Sequence, residues 1–188
     1  VGYGALTALT TGDNNVTIGK STAVALTTGD SNITIGTNTL GIATSAEDVV
    51  LIGASAGYAI NNDAADGTVA VGRSALAALT TGAGNVAIGY TAMNDVVEGA
   101  NNTALGYNAF GGALDATADA STNNIFIGHN AGSGDWVTAV SNYNVAIGGN
   151  SMDAAMNGAL NNTALGYNAA STITTGDTNI CIGAHAGN

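Results

Sequence analysis

One five-residue string, Asn-x-x-(Ile/Val/Leu)-Gly, recurs along the whole chain and constrains the fold more than any other feature. It reads NVTIG at 15–19, NITIG at 32–36, NVAIG at 85–89, NTALG at 102–106, NIFIG at 124–128, NVAIG at 144–148, NTALG at 162–166 and NICIG at 179–183. Two further copies without the Asn, VVLIG at 49–53 and TVAVG at 68–72, complete a set of ten. The closing glycines are Gly19, Gly36, Gly53, Gly72, Gly89, Gly106, Gly128, Gly148, Gly166 and Gly183, with Gly2 the tail of a preceding copy. From Gly2 onward they are spaced 17, 17, 17, 19, 17, 17, 22, 20, 18 and 17 residues apart. A period near 17 with occasional insertions implies stacked coils with loops at one corner.

Aligning the copies assigns a task to each position. Three residues before the glycine stands a β-branched residue (Val16, Ile33, Val50, Val69, Val86, Thr103, Ile125, Val145, Thr163, Ile180), and one residue before it stands Ile, Val or Leu. Two apart, they share one side of a short strand and are expected to form a continuous apolar stack. The residue between them faces the other way and is mostly Ala. An exposed strand face would carry Lys, Glu or Asp, so this second face is expected to be covered too, by a neighbouring chain. The glycine marks a corner of positive φ or close backbone approach. The small residue three positions later and the recurrent (Leu/Ile)-Thr-Thr-Gly segment predict a second short strand and turn. The asparagines, Asn15, Asn32, Asn85, Asn102, Asn124, Asn144, Asn162 and Asn179, are expected to stack as a structural amide ladder from coil to coil. The fold class that follows is all-β, a parallel β-solenoid of about ten coils of 17–22 residues, some 48 Å long at about 4.8 Å per coil.

Composition narrows the function. Lys20 and Arg73 are the only basic residues against thirteen acidic ones, a net charge of −11, which disfavours nucleic acid and anionic membrane surfaces as partners. Cys181 is the one cysteine, so no intrachain disulfide framework or multi-cysteine metal site is available. The longest apolar stretch, 49–60, is too short and too interrupted to cross a bilayer as a helix. Beginning at Val1 with no charged-then-apolar leader, residues 1–188 read as a single internal solenoid segment of a longer fibre protein.

An acidic residue lies six positions before the closing glycine in the first four coils: Asp13, Asp30, Glu47 and Asp66, with Asp177 in the last. Stacked at coil spacing, these carboxylates are either a weak cation ladder, with calcium as the fitting ion, or a solvated turn. The longer coils between Gly106 and Gly148 bring in Phe110, Trp136 and Tyr143, which either contact a receptor or plug a widened corner. Tyr3, Tyr90, Tyr107 and Tyr167 share the position after the closing glycine, which marks them as structural. No carboxylate pair with a convergent Arg, no nucleophile–base set and no phosphate-cradling loop with Lys appears, so the chain does not read as an enzyme.

The strings NTALGYNAF (102–110), NTALGYNAA (162–170), NVAIGYTAM (85–93) and LTTGDSNITIG (26–36) resemble the β-roll repeats of YadA-like heads in trimeric autotransporter adhesins. They are also similar to NTALGYNA-type repeats of phage tail fibres and bacterial surface fibres. The resemblance covers the whole chain. It implies a left-handed β-roll in a homotrimer, and an adhesive segment of an extracellular fibre on a bacterial cell surface or virion tail. Implied partners are other copies of the chain and a cell-surface glycan or protein receptor. A self-polymerising extracellular filament is the alternative, and an ice-binding or glycan-active solenoid a remote one.

Overall fold

The computed structural model describes residues 1–114 and 118–188. Ten three-residue strands follow one another: β1 (Val16–Ile18), β2 (Ile33–Ile35), β3 (Val50–Ile52), β4 (Val69–Val71), β5 (Val86–Ile88), β6 (Thr103–Leu105), β7 (Ile125–Ile127), β8 (Val145–Ile147), β9 (Thr163–Leu165) and β10 (Ile180–Ile182). They form one parallel sheet in strict sequence order. Equivalent repeat positions pair, as in Val16 with Ile33 and Thr17 with Thr34. Register never slips, even across the longest coil, where Thr103 pairs with Ile125. The chain is therefore a parallel β-solenoid of about ten turns, with the strands where the repeat places them. The described residues otherwise contain two short 3₁₀ turns, Asp63–Ala65 and Ala118–Ala120, both in lengthened coils.

The expected second strand does not form. At the Thr-Thr-Gly segment, Thr10 N–H and Thr11 N–H both donate to the single carbonyl of Thr27 (2.9 and 3.3 Å), and the pattern repeats at Thr27 and Thr28 on Thr44. Two donors converging on one acceptor bend the chain instead of extending a ladder. Three left-handed corners per coil do the rest. One lies five residues before the closing glycine (Asn14, φ 58°), one two residues after it (Asn38, φ 56°), and one four residues after it (Leu40, φ 50°). Asn tolerates this conformation better than other non-Gly residues, and Asn101, Asn108, Asn123, Asn130, Asn150, Asn161 and Asn168 all occupy such corners. Many of the asparagines outside the ladder thus have a backbone reason.

The closing glycine is required by contact as well as by φ. A Cβ on Gly89 (φ +145°) would sit 2.1 Å from the carbonyl oxygen of Gly106, and the same clash recurs along the column at every closing glycine but the last, Gly183.

The sidedness of the strand is the reverse of the expectation. Thr17, Thr34, Leu51, Ala70, Ala87, Ala104, Phe126, Ala146 and Ala164, the strand-centre column, are buried, whereas the Val/Ile/Leu stack on either side of each centre points outward. In each strand the central side chain enters the core, alongside buried corner residues such as Leu40, Leu76 and Met93. Size compensation in the coils with the largest strand centres shows the fit. Where the centre is Leu51, the corner four residues past the closing glycine is Gly57, whose Cβ would lie 2.8 Å from Leu51 Cδ1. Where it is Phe126, the same corner is Gly132, whose Cβ would lie 2.5 Å from Phe126 Cδ1. In five other coils that corner carries the larger core residues Leu40, Leu76, Met93, Phe110 and Met152, all fully buried, and in two it carries the buried Ala23 and Ala170.

A candidate interaction face

The outward stack makes one side of the solenoid a flat, ten-strand aliphatic surface. Val16 and Ile18 are 48% and 46% exposed, and Ile88, Leu105, Ile125, Ile147 and Leu165 are exposed in the same way. At coil spacing of about 4.8 Å and about 3.3 Å per strand residue, this strip measures roughly 48 by 10 Å. A continuous aliphatic strip on one face marks an interaction surface, not a random scatter of exposed side chains.

Two polar columns flank the strip. On the side where the chain leaves the strand, the residue after each closing glycine forms a column containing Lys20, Arg73, Tyr90, Tyr107, His129, Gly149 and Tyr167. Tyr90 and Tyr107 stack at 5.4 Å with an interplanar angle of 7°, and Tyr107 stacks on His129 at 5.2 Å and 13°. The Arg73 guanidinium lies 6.0 Å from the Tyr90 ring centroid. Stacking along the solenoid axis buries the ring faces against one another and leaves their edges exposed. The repeat position that Tyr90 and Tyr107 share is thus a stacking position, and His129, which the tyrosine pattern does not single out, continues the stack.

On the side where the chain enters the strand lies the acidic edge. Here the carboxylates cap the coil before them: Asp30 Oδ1 accepts from Asp13 N–H at 2.5 Å, Asp66 Oδ1 from Glu47 N–H at 3.0 Å, and Asp177 Oδ1 from Leu160 N–H at 2.8 Å. Asn142 fills the same place, accepting from Thr122 N–H at 2.7 Å. Among the described residues, no three acidic, His or Cys side chains are grouped to hold a metal ion. Desolvation, then the carboxylates of Asp66, Asp30, Asp48 and Asp63, hold the Glu47 carboxyl above the usual carboxylate range. Desolvation likewise raises Asp66, against the lowering effect of its bond from Glu47 N–H.

Behind the sheet runs the asparagine ladder. Asn124 Nδ2 donates to Asn102 Oδ1 (3.2 Å) and to the Ser141 carbonyl (2.9 Å), while its Oδ1 accepts from Asn144 N–H (2.9 Å) and Asn144 Nδ2 (3.2 Å). Asn15 and Asn32, and Asn162 and Asn179, are linked in the same way. Asn85 Oδ1 accepts from Asn102 N–H. The ladder is interrupted where Val49 and Thr68 replace Asn, and the buried Thr68 hydroxyl has no partner.

Of the three residues considered for receptor contact, Trp136 and Phe110 are fully buried and cannot touch a receptor in this conformation. They plug the widened coils, with Phe110 4.5 Å from Trp136 and 5.0 Å from Phe126 between ring centroids. Tyr143 alone is at the surface, 57% exposed, at a left-handed corner with φ 60°. Cys181, at the strand centre of β10, is unpaired. No helix of the described residues is long and apolar enough to cross a membrane.

The fold and this face define the class, a parallel β-solenoid with an aliphatic outer sheet. Comparison with protein-family models, curated proteins and solved structures finds no match for the chain.

Proposed function

We propose that the chain is a rigid segment of an extracellular attachment fibre, an adhesin head or phage tail fibre, in which copies associate as a homotrimer through the aliphatic sheet face. The observation that carries this reading is the outward Val/Ile/Leu stack on all ten strands. The strip and its two flanks together offer on the order of 1,000 Å² per copy, comparable with the roughly 800 Å² per partner of a standard interface. The NTALGYNA-type repeats supply the attachment part of the proposal, because the families they resemble use such segments as spacers and heads. Three parallel copies would present each peripheral loop three times, so weak contacts to a glycan or protein receptor would add by avidity.

Sedimentation equilibrium of the purified chain tests the assembly. The expected result is a discrete trimer that Ile88→Lys combined with Ile147→Lys converts to a folded monomer. Mass that keeps growing with concentration would favour a filament, and a monomer would overturn the proposal. Binding of the labelled trimer to intact cells, lost with the double lysine variant, tests attachment.

A further inference from the structure

The aromatic column beside the sheet has one missing rung, and the backbone gives no reason for it. Through the β5, β6 and β7 coils the position after the closing glycine carries Tyr90, Tyr107 and His129, stacked at 5.4 and 5.2 Å. In the β8 coil it carries Gly149, the sole glycine of the column, and in the β9 coil the aromatic pattern resumes with Tyr167. The closing glycines up to Gly166 are required by close contact and by φ. Gly149 is required by neither: its φ is not positive, and a Cβ there would meet nothing nearer than 3.6 Å. The effect of this glycine is to leave a gap between two rings.

We propose that the gap is a binding slot for one pyranose ring of a neutral glycan, held between His129 and Tyr167 over the bare backbone of Gly149. The inference rests on the attachment function proposed above and names the ligand class and the residues that take it.

The walls are already in place. One face of the His129 imidazole is covered by Tyr107, at 13° between the planes, and the other is turned toward the β8 coil. The Tyr167 ring borders the gap from the far side, its Cδ2 and Cε2 lying 3.6 and 4.0 Å from where a Gly149 Cβ would stand. His185, one coil further on, meets Tyr167 at 5.5 Å and 86° and braces it. Both walls are exposed, Tyr167 to 54%. With coils about 4.8 Å apart, walls two coils apart stand about 9.6 Å from each other, which admits one ring and not two.

The rim selects the kind of ring. In the neighbouring column Asn108 Nδ2 donates to Asn130 Oδ1 at 3.2 Å. That link stops at the same coil as the aromatic stack. Asn150, next to Gly149 at a left-handed corner of φ 53°, is half-buried, and its side-chain amide has no hydrogen-bond partner among the described residues. The slot therefore offers two ring faces and, at its edge, an amide with both donors and acceptor free. A pyranose answers both: its slightly positive C–H groups suit the negative faces of the walls, and its hydroxyls suit the amide. A plain aromatic ring answers only the first. Lys20 and Arg73 lie in the β1 and β4 coils, away from the slot, and the net charge of −11 disfavours an acidic sugar. Three copies would carry three such slots, each at the edge of the sheet face.

The probes are the methyl glycosides of glucose, galactose, mannose and N-acetylglucosamine at millimolar concentration, with phenol as the aromatic control, and the readout is the NMR resonances of the His129 and Tyr167 rings in the assembled chain. At least one glycoside is expected to shift both. Gly149→Tyr fills the gap with a ring of the protein's own, and is expected to abolish the glycoside-induced shifts with the melting temperature unchanged or raised. Tyr167→Ala is expected to weaken binding about tenfold, the worth of one aromatic contact, while Tyr90→Ala, separated from the slot by Tyr107 and His129, leaves it unchanged. No shift with any of the four glycosides, a shift with phenol alone, or binding that survives Gly149→Tyr overturns the slot. A folded Gly149→Tyr chain that still attaches to cells as the unaltered chain does overturns the slot as the receptor site and leaves attachment standing. An unaltered chain that binds a glycoside through these two rings but attaches to no cell supports the slot and overturns attachment.

Discussion

Truncating Asn124 to Ala removes one rung from the middle of the ladder, and the cost follows from the bonds it breaks. Asn124 Oδ1 accepts from the Asn144 N–H at 2.9 Å, and its Nδ2 donates to the Ser141 carbonyl at 2.9 Å. Both groups are buried, and both lose these partners. By contrast, Asn144 Nδ2 keeps its bond to the Ala159 carbonyl (2.8 Å), and Asn102 Oδ1 keeps the Asn124 N–H (3.0 Å). At about 1–3 kcal/mol for each orphaned buried group, Asn124→Ala should cost on the order of 4 kcal/mol. For a chain of this size that is a fall in melting temperature of about 8–16 °C. Asn15→Ala breaks the equivalent bonds to Gly29 and Asn32, but Asn15 is partly exposed, so water can replace the lost partners and the cost should be less than half. Urea unfolding of both variants at one fixed protomer concentration measures the difference, since dissociation contributes to apparent stability. Equal losses for the two variants, or a loss under about 1 kcal/mol at Asn124, would refute the claim that the ladder carries buried, irreplaceable bonds.

Further outcomes separate the other structural claims. Gly89→Ala should prevent folding or cost more than about 3 kcal/mol, because its Cβ would meet the Gly106 carbonyl oxygen and its φ of +145° is strained, while Gly183→Ala, which keeps the strain of φ +120° but meets nothing within 4 Å, should cost less in the same melt. Phe126→Ala, which empties a site packed by Phe110 and Trp136, should cost about 3–5 kcal/mol and shift the fluorescence of the single tryptophan to the red. Thr68→Val exchanges an unpartnered buried hydroxyl for a methyl group and should stabilise by up to about 1–2 kcal/mol in thermal unfolding. The Asp95 and Asp153 carboxyls are raised by burial, so the folded chain binds their protons more tightly than the unfolded chain does. Stability should therefore rise as pH falls from 7 through their folded-state pKa values and level off below the unfolded value of about 3.9. Asp153→Asn should flatten part of that rise in melts taken across pH, and an unchanged profile would count against the shift.

Each coil's position and each strand's limits were legible in the sequence, because a string that must stack on its own copies repeats its chemistry at every turn. Val16–Ile18 through Ile180–Ile182 lie where the motif sets them, and the glycine column has the backbone contacts its recurrence implied. The asparagine ladder was legible for the same reason. Which face of the strand turns inward was not. Alternation divides Val86, Ala87 and Ile88 into two faces, but both faces are apolar, so polarity alone cannot say which is core. The turn of the coil decides it: three left-handed corners close each coil on the side of the strand centre, so Ala87 lies inside while Val86 and Ile88 lie on the outer face. The exchange between Phe126 and Gly132, and between Leu51 and Gly57, was present in the residues yet had no meaning until the corner was known to face the strand centre. The flanks are the same case. Lys20, Asp13, Gly149 and Tyr143 are fixed in repeat position by sequence alone. Only the tertiary structure shows that the strip between them is an outer surface, because the direction in which each coil closes, and not the polarity of either strand face, puts the Val/Ile/Leu pairs outside.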